Sequence, residues 1–225
     1  MTSLFDDEER AWVWEQASGE FDHLLIATSD PFLLSHGLHH LEAWSEAVCD
    51  GAWGGVAARL CERLRRAEDF DHWASFGRSF RRLSALLRQV GSSSAHEPPA
   101  SIVVLSGDVH HAYLAEVGFP RGSSVRSRVY QAVCSPYRNP LDNRERRAIR
   151  LLFRKGTKRV TRALARAAGV PDPELGWRFL EGPYFDNQVA SLALDGRTAR
   201  IKLEKTKAGD TEEHTLETTF ERRLA

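Results

Sequence analysis

Cysteine, long apolar runs and net charge are all scarce in this sequence, and each scarcity excludes a class of protein. The three cysteines, Cys49, Cys61 and Cys134, are widely spaced and form no C-x-x-C pair, which argues against a disulfide framework and favours reduced thiols in a core. No segment approaches the about 20 apolar residues that a membrane span needs. The 31 basic and 31 acidic residues balance, so no overall charge steers the molecule to nucleic acid or membrane.

The amino-terminal residues carry no recognisable targeting signal. Residues 1–10, M-T-S-L-F-D-D-E-E-R, are acidic and contain neither an apolar h-region nor a twin arginine. We therefore expect a cytoplasmic protein.

Apolar periodicity predicts alternating helices and strands, which is the order of an α/β protein. At 225 residues the chain fits one domain, 1–225. Helices are predicted over 6–18 and over 56–90 with an interruption near residue 70. Residues 33–55, rich in histidine and glycine, indicate an ordered loop or short helices over a cleft. Strands are predicted over 24–27, 102–105, 113–119 and 125–133, followed by an antiparallel meander over 187–194, 197–205 and 214–221 with turns at 195–196 and 208–210.

The most informative stretch is 101–112, S-I-V-V-L-S-G-D-V-H-H-A. A β-branched run that ends in Gly-Asp-x-His predicts a buried strand whose carboxyl end places a carboxylate and an imidazole in a cleft. Gly107 permits a sharp turn, and if the chain stays extended beyond it, Asp108 and His110 project to the same side. Both donors suit Fe, Mn, Zn or Ca. The pattern therefore indicates a metal site, and it fits a turn with a hydrogen-bonded core histidine equally well.

Residues 143–168 form a local charge anomaly. Ten basic residues stand there against one acidic residue, Glu145, which leaves nine net positive charges. A broken apolar stripe predicts an amphipathic helix or a helix pair around Gly156. Three interpretations remain: a solvated face that steers anions, a lid that attracts phosphate substrates, or a surface for anionic lipid or nucleic acid. We favour the first, and nucleic acid is disfavoured because Phe153 is the only aromatic residue nearby.

Three motifs carry a family resemblance: L-S-G-D-V-H-H-A-Y at 105–113, D-H-W-A-S-F at 71–76 and H-H-L-E-A-W at 39–44. Together they resemble the PhoD-like (alkaline phosphatase D) metallophosphatase family. The resemblance covers most of the chain, from about Glu9 through the last strands, and matches the family's carboxyl-terminal half. It implies a calcineurin-like metallophosphoesterase sandwich, with helices outside two packed sheets and a multinuclear metal centre at the strand ends.

The resemblance also implies an activity and a set of site residues. Asp108 and His110 match the family's last ligand-bearing motif, and the activity would be hydrolysis of phosphate mono- or diesters by metal-activated water. His111, or His39 or His40 from the upstream segment, would donate to the phosphate or protonate the leaving oxygen. Taken as residues alone, His39 and His40 fit loop hydrogen bonding or substrate-side lining better than metal ligation. In the same sense, Asp71 fits a helix cap.

The sequence departs from the family in its earlier metal-binding motifs. A Cys or Asp near a first strand, G-D-x-x-(Tyr or Asp) and (Asp or Asn)-Asp-His are not found, and Asp6-Asp7 is followed by Glu8. We therefore expect a carboxyl-terminal portion whose metal centre is incomplete in this chain alone, with a complementing amino-terminal half or a homodimer as partner. The alternative is a non-catalytic remnant or binding module that uses residues 144–166 to bind a polyanion or a protein partner.

Overall fold

A computed structural model of the chain describes residues 4, 6–67, 72–136, 141–207 and 215–225. Contacts between residues divide the chain into two compact units. Unit 1 comprises Met1–Ala11, Phe32–Ala85 and Asn143–Glu174, and unit 2 comprises Trp12–Pro31, Leu86–Asp142 and Leu175–Ala225. One domain over 1–225 stays a prediction, because units built from separated stretches of chain are not by themselves independent domains.

Unit 1 is helical. Helices α1 and α4 lie partly in each unit, and α2, α3, α5 and α6 lie wholly in unit 1. The bounds are α1 Asp7–Gln16, α2 His36–Cys49, α3 Gly55–Ala67, α4 Gly77–Gly91, α5 Asn143–Leu152 and α6 Lys155–Ala167, with a single 3-10 turn at Trp73–Ser75. The predicted helices over 6–18 and 56–90 and the helix pair around Gly156 are confirmed.

Of the two alternatives expected over 33–55, an ordered loop or short helices, the structure has a helix, α2, over most of the segment. Ser35 caps its amino end, where the hydroxyl accepts a hydrogen bond from the Leu38 amide at 3.4 Å. Gly37 lies within the helix for a packing reason, since a Cβ there would stand 2.5 Å from the carbonyl oxygen of Leu152. The other three glycines of the segment follow the helix, so they do not interrupt it.

Unit 2 contains every strand found among the described residues, arranged in two sheets. The first sheet has the order β1-β2-β4-β3-β5, in which β1, β2 and β4 are parallel and β3 is antiparallel to both of its neighbours. The second sheet is an antiparallel meander, β6-β7-β8. The bounds are β1 His23–Ala27, β2 Ser101–Ser106, β3 Ala112–Gly118, β4 Arg128–Val133, β5 Gly176–Tyr184, β6 Gln188–Asp195, β7 Thr198–Lys207 and β8 Thr215–Arg223.

The two sheets share one hydrophobic cluster. Val103 of β2, Leu114 of β3 and Ile201 of β7 are among its buried members, and the Tyr130 hydroxyl donates to the Leu224 carbonyl oxygen at 3.1 Å within it. Strand β2 is buried on both faces, as its uninterrupted apolar run predicts. The mixed α/β class, the two sheets and the carboxyl-terminal meander are confirmed.

Strand β5 is the element that the sequence analysis missed. Its ends carry Gly176, Gly182 and Pro183, which are turn residues and hide a strand from periodicity. The predicted turn at 208–210 and the capping role of Asp71 lie outside the described residues. Within the described ranges, no helix combines the length and the apolarity that crossing a membrane would take.

Candidate metal centre at the strand ends

Three parallel strands of unit 2 end at the same edge of the first sheet. In register, Ala27 of β1 lies beside Leu105 of β2, and Ser106 of β2 lies beside Val133 of β4. The loops that follow them begin at residues 28, 107 and 134. The carboxyl ends of adjacent parallel strands are where α/β sheets most often bind ligands. The Gly-Asp-x-His motif therefore lies in the middle loop of three.

Backbone hydrogen bonds join these three loops into one structure. The Gly107 amide donates to the Ser29 carbonyl oxygen at 3.1 Å, and the Cys134 amide donates to the Ser106 carbonyl oxygen at 3.1 Å. The His110 amide donates to the Ser135 hydroxyl at 3.2 Å. Each loop is thus held by its neighbour, so the middle loop has little freedom to rearrange.

Asp108 and His110 both adopt left-handed backbone conformations, with φ of 66° and 53°. They are the only non-glycine residues with positive φ among those the structure describes. The condition that the chain stays extended beyond Gly107 is not met, because β2 ends at Ser106 and the Val109 amide folds back to the Gly107 carbonyl oxygen at 2.9 Å. Left-handed conformations cost energy for side chains with a Cβ and cluster at functional sites.

The backbone turn sets the exposure of the two predicted ligands. Asp108 is exposed and His110 is half-buried at the surface of the loop. Both side chains are thus at least partly accessible to a ligand from solvent.

His111 is fixed in one tautomer. Its side chain is buried, and its Nδ1 lies 2.6 Å from the Val109 carbonyl oxygen. A carbonyl oxygen only accepts, so Nδ1 carries the proton and donates, which leaves the lone pair of the neutral ring on Nε2. The ring also packs between Tyr113 and Phe185, with centroid distances of 5.4 and 5.8 Å. Donation from one ring nitrogen to a backbone carbonyl oxygen is typical of histidines whose other ring nitrogen ligates a metal or transfers a proton.

Two further residues position the loops, and the sequence analysis did not identify them. Gln131 on β4 donates to the Ser106 hydroxyl at 2.8 Å. Gln188, where β6 begins, donates from Nε2 to the Ser135 carbonyl oxygen at 3.0 Å, and its amide donates to the Pro136 carbonyl oxygen at 3.2 Å. A glutamine buried inside a strand pattern is a signal for such a role, because its amide needs partners.

His39 and His40 belong to unit 1, whereas Asp108, His110 and His111 belong to unit 2. Both upstream histidines lie on α2 and are buried, at 4% and 5% exposure. Burial lowers the pKa of His39 to about 3 and that of His40 to about 4. At neutral pH these rings are neutral and would act through an N–H group. Their catalytic assignment stays a prediction.

The other two resembling motifs meet inside unit 1. Glu42 of α2 is fully buried; its Oε1 accepts from His72 Nδ1 at 2.7 Å, and its Oε2 accepts from the Ser75 hydroxyl at 3.2 Å. The buried carboxylate thereby binds the 3-10 turn to α2. The sequence analysis did not foresee this pairing, which gives H-H-L-E-A-W and D-H-W-A-S-F a shared structural role.

The donors at the strand ends fit a metal ion in part. A carboxylate and an imidazole are suitable ligands for borderline and hard ions, yet each ion takes about four to six donors. Within the described residues, no three His, Cys, Asp or Glu side chains come together as a metal-binding group. Asp108 and His110 therefore stay two predicted ligands, and metal binding by them stays a prediction. No protein-family model, curated protein or solved structure matches the chain.

Proposed function

We propose that the chain is the carboxyl-terminal portion of a PhoD-like, metal-dependent phosphoesterase with a calcineurin-like fold. The observation that carries the proposal is the left-handed backbone of Asp108 and His110 at the carboxyl end of β2. Two left-handed non-glycine residues in one short motif, next to a histidine of defined tautomer, support a functional loop, and Asp and His are residue types that adopt this conformation more readily than most.

In this proposal each residue of the site has a distinct role. Asp108 and His110 hold metal on one side of the centre. When bound, the metal polarises a phosphate ester and lowers the pKa of the attacking water. His111 accepts or donates a proton at Nε2, because Nδ1 is committed to the Val109 carbonyl oxygen. Ser135 and Gln188 keep the loops in place.

The test is metal content combined with two activity assays. Asp108→Asn and His110→Gln keep the size of each side chain and remove a ligand. We expect both variants to lose bound Mn, Zn or Fe as measured by elemental analysis after purification, and to lose hydrolysis of aryl phosphate mono- and diesters wherever the parent chain shows it.

Matched controls separate ligation from general effects. Asp195→Asn lies at the last residue of β6 and His96→Gln lies in the loop before β2, and both should keep the parent metal content. If both site variants retain that content as well, the ligand assignment is wrong. A non-catalytic binding module, the alternative function, gives that same unchanged result.

A further inference from the structure

Helix α3 presents an outer face that mixes aliphatic and basic side chains. Val56, Leu60 and Leu64 are 66%, 61% and 42% exposed and follow one another at intervals of four residues, so they lie on one side of the helix. Arg59 and Arg63 are exposed on the same side, at the intervening positions. The opposite side packs inward through buried Cys61. Three large aliphatic side chains thus remain exposed on a helix that already has a packed face.

Helices α5 and α6 of the same unit repeat this composition. Leu151 is 51% exposed one turn after the exposed Arg147, and Val160 is 69% exposed directly after the exposed Arg159. Scattered exposed aliphatic residues are ordinary on a protein surface. On α3 they alternate regularly with arginine, which is characteristic of helices that lie on membranes.

An exposed tryptophan connects the first of these helices to the last. Trp53 precedes α3, is 44% exposed, and donates from its indole nitrogen to the carbonyl oxygen of Ala167, the last residue of α6, at 3.4 Å. Its ring also contacts Trp44 edge to face, with centroids 5.5 Å apart. Trp53 therefore lies where α3 begins and α6 ends.

We propose that the chain binds the surface of an anionic phospholipid bilayer through the outer face of α3, a basic–apolar surface formed by Val56, Arg59, Leu60, Arg63 and Leu64 together with the adjacent Trp53. The aliphatic side chains enter the boundary between headgroups and acyl chains, and the guanidinium groups reach the lipid phosphates. Tryptophan is the aromatic residue preferred at that depth. Because the whole chain is neutral, the attraction is local to this surface.

The composition favours lipid over the other occupants. A dry protein interface would bury these arginines, and each would then need a carboxylate partner. A second copy of the chain in a two-fold contact would place this surface against itself, arginine against arginine. Nucleic acid would use stacking rings, and the surface offers only Trp53.

Vesicle partitioning tests the proposal with the full chain. We expect co-sedimentation with vesicles of equal parts phosphatidylcholine and phosphatidylserine at low ionic strength, weak association with pure phosphatidylcholine, and release as salt is added. Arg63→Gln should lower the partition coefficient about fivefold, which is the value of one basic side chain near an anionic membrane. Leu60→Ser should lower it further by removing an inserted side chain.

Two control variants make the same chemical changes elsewhere. Arg121→Gln lies in the exposed turn between β3 and β4, and Leu216→Ser replaces a 55% exposed residue of β8. Both should leave partitioning unchanged, and circular dichroism should show all four variants folded. The proposal is overturned by absence of binding at low salt, by equal binding to neutral vesicles, or by equal losses in the controls. It is also overturned if Leu60→Ser dissolves a dimer while vesicles stay unbound. None of these outcomes involves the metal site, so the proposed phosphoesterase function stands or fails separately.

Discussion

The left-handed backbone of His110 allows the strain at the strand ends to be measured. Its φ is 53°, a conformation that costs a residue with a Cβ about 1–2 kcal/mol. Glycine adopts it without that cost, but it gives up about 0.5–1 kcal/mol more chain entropy on folding than alanine. His110→Gly should therefore be more stable than His110→Ala by about 0.5–1 kcal/mol. The hydrogen bond from the residue 110 amide to Ser135 persists in both variants, so it does not enter the difference.

The assay is urea unfolding of both variants, monitored by tryptophan fluorescence. The two variants are compared by the urea concentration at the unfolding midpoint and by the slope of unfolding free energy against urea concentration. The matched control is the same pair of changes at Arg147, an exposed position within α5, where glycine should be less stable than alanine by about 1 kcal/mol. The sign of the glycine-minus-alanine difference should thus be opposite at the two positions. Equal signs would refute the strain argument, and with it the main support for a functional loop.

Two further predictions concern α2. The pKa of His39 falls from 6.5 in the unfolded chain to about 3 in the fold because the ring is buried, so the unfolded state binds more protons between these values. Stability is then fully present above pH 6.5 and is lost on acidification, at about 1 kcal/mol per pH unit near pH 5.5. In urea unfolding at several pH values, His39→Gln and His39→Phe should each reduce the slope of unfolding free energy against pH by about 1 kcal/mol per pH unit near pH 5.5. An unchanged slope in both variants would contradict the burial argument. Gly37→Ala should destabilise by about 1–3 kcal/mol in the same assay, since the new Cβ meets the Leu152 carbonyl oxygen at 2.5 Å. Gly156→Ala, which meets nothing within 4 Å, should be neutral or stabilising, and equal losses at both glycines would rule out the packing argument.

Much of the fold could be predicted from local patterns in the sequence. The run at 102–105 predicts a buried strand because its neighbours on both sides are apolar, and the Asp195-Gly196 turn predicts the β6–β7 hairpin. The glycines and histidines of 33–55 fit an ordered loop or short helices, and they do not indicate the single 14-residue helix α2 that the structure has there. Gly37 lies in the helix because a Cβ there would meet the carbonyl oxygen of Leu152, which is more than a hundred residues away in sequence. Such long-range packing leaves no periodic signal.

The candidate site, like the fold, combines features that local sequence patterns reveal with features that only tertiary contacts determine. Gly-Asp-x-His at the end of a buried strand is visible in the sequence, and the structure does place it at the end of β2. The hydrogen bonds that Ser29 and Ser135 make to this loop come from the loops after β1 and β4, and local sequence patterns do not reveal them. The partners of His111 and the buried contact between Glu42 and His72 are likewise tertiary. Sequence thus identifies the chemical groups, and the surrounding strands determine their conformation.

The small number of proposed protein ligands affects how much metal the purified chain is expected to retain. In the proposed centre, Asp108 and His110 would provide two of the about four to six donors that each ion takes. The remainder must come from further protein donors, from water, or from the phosphate oxygens of a bound ester. If phosphate oxygens complete the coordination shell, the affinity for metal alone is low. Bound phosphate then raises the affinity for metal, and bound metal raises the affinity for phosphate by the same factor. Metal content measured with inorganic phosphate present is therefore the more sensitive form of the comparison between the parent chain and His110→Gln.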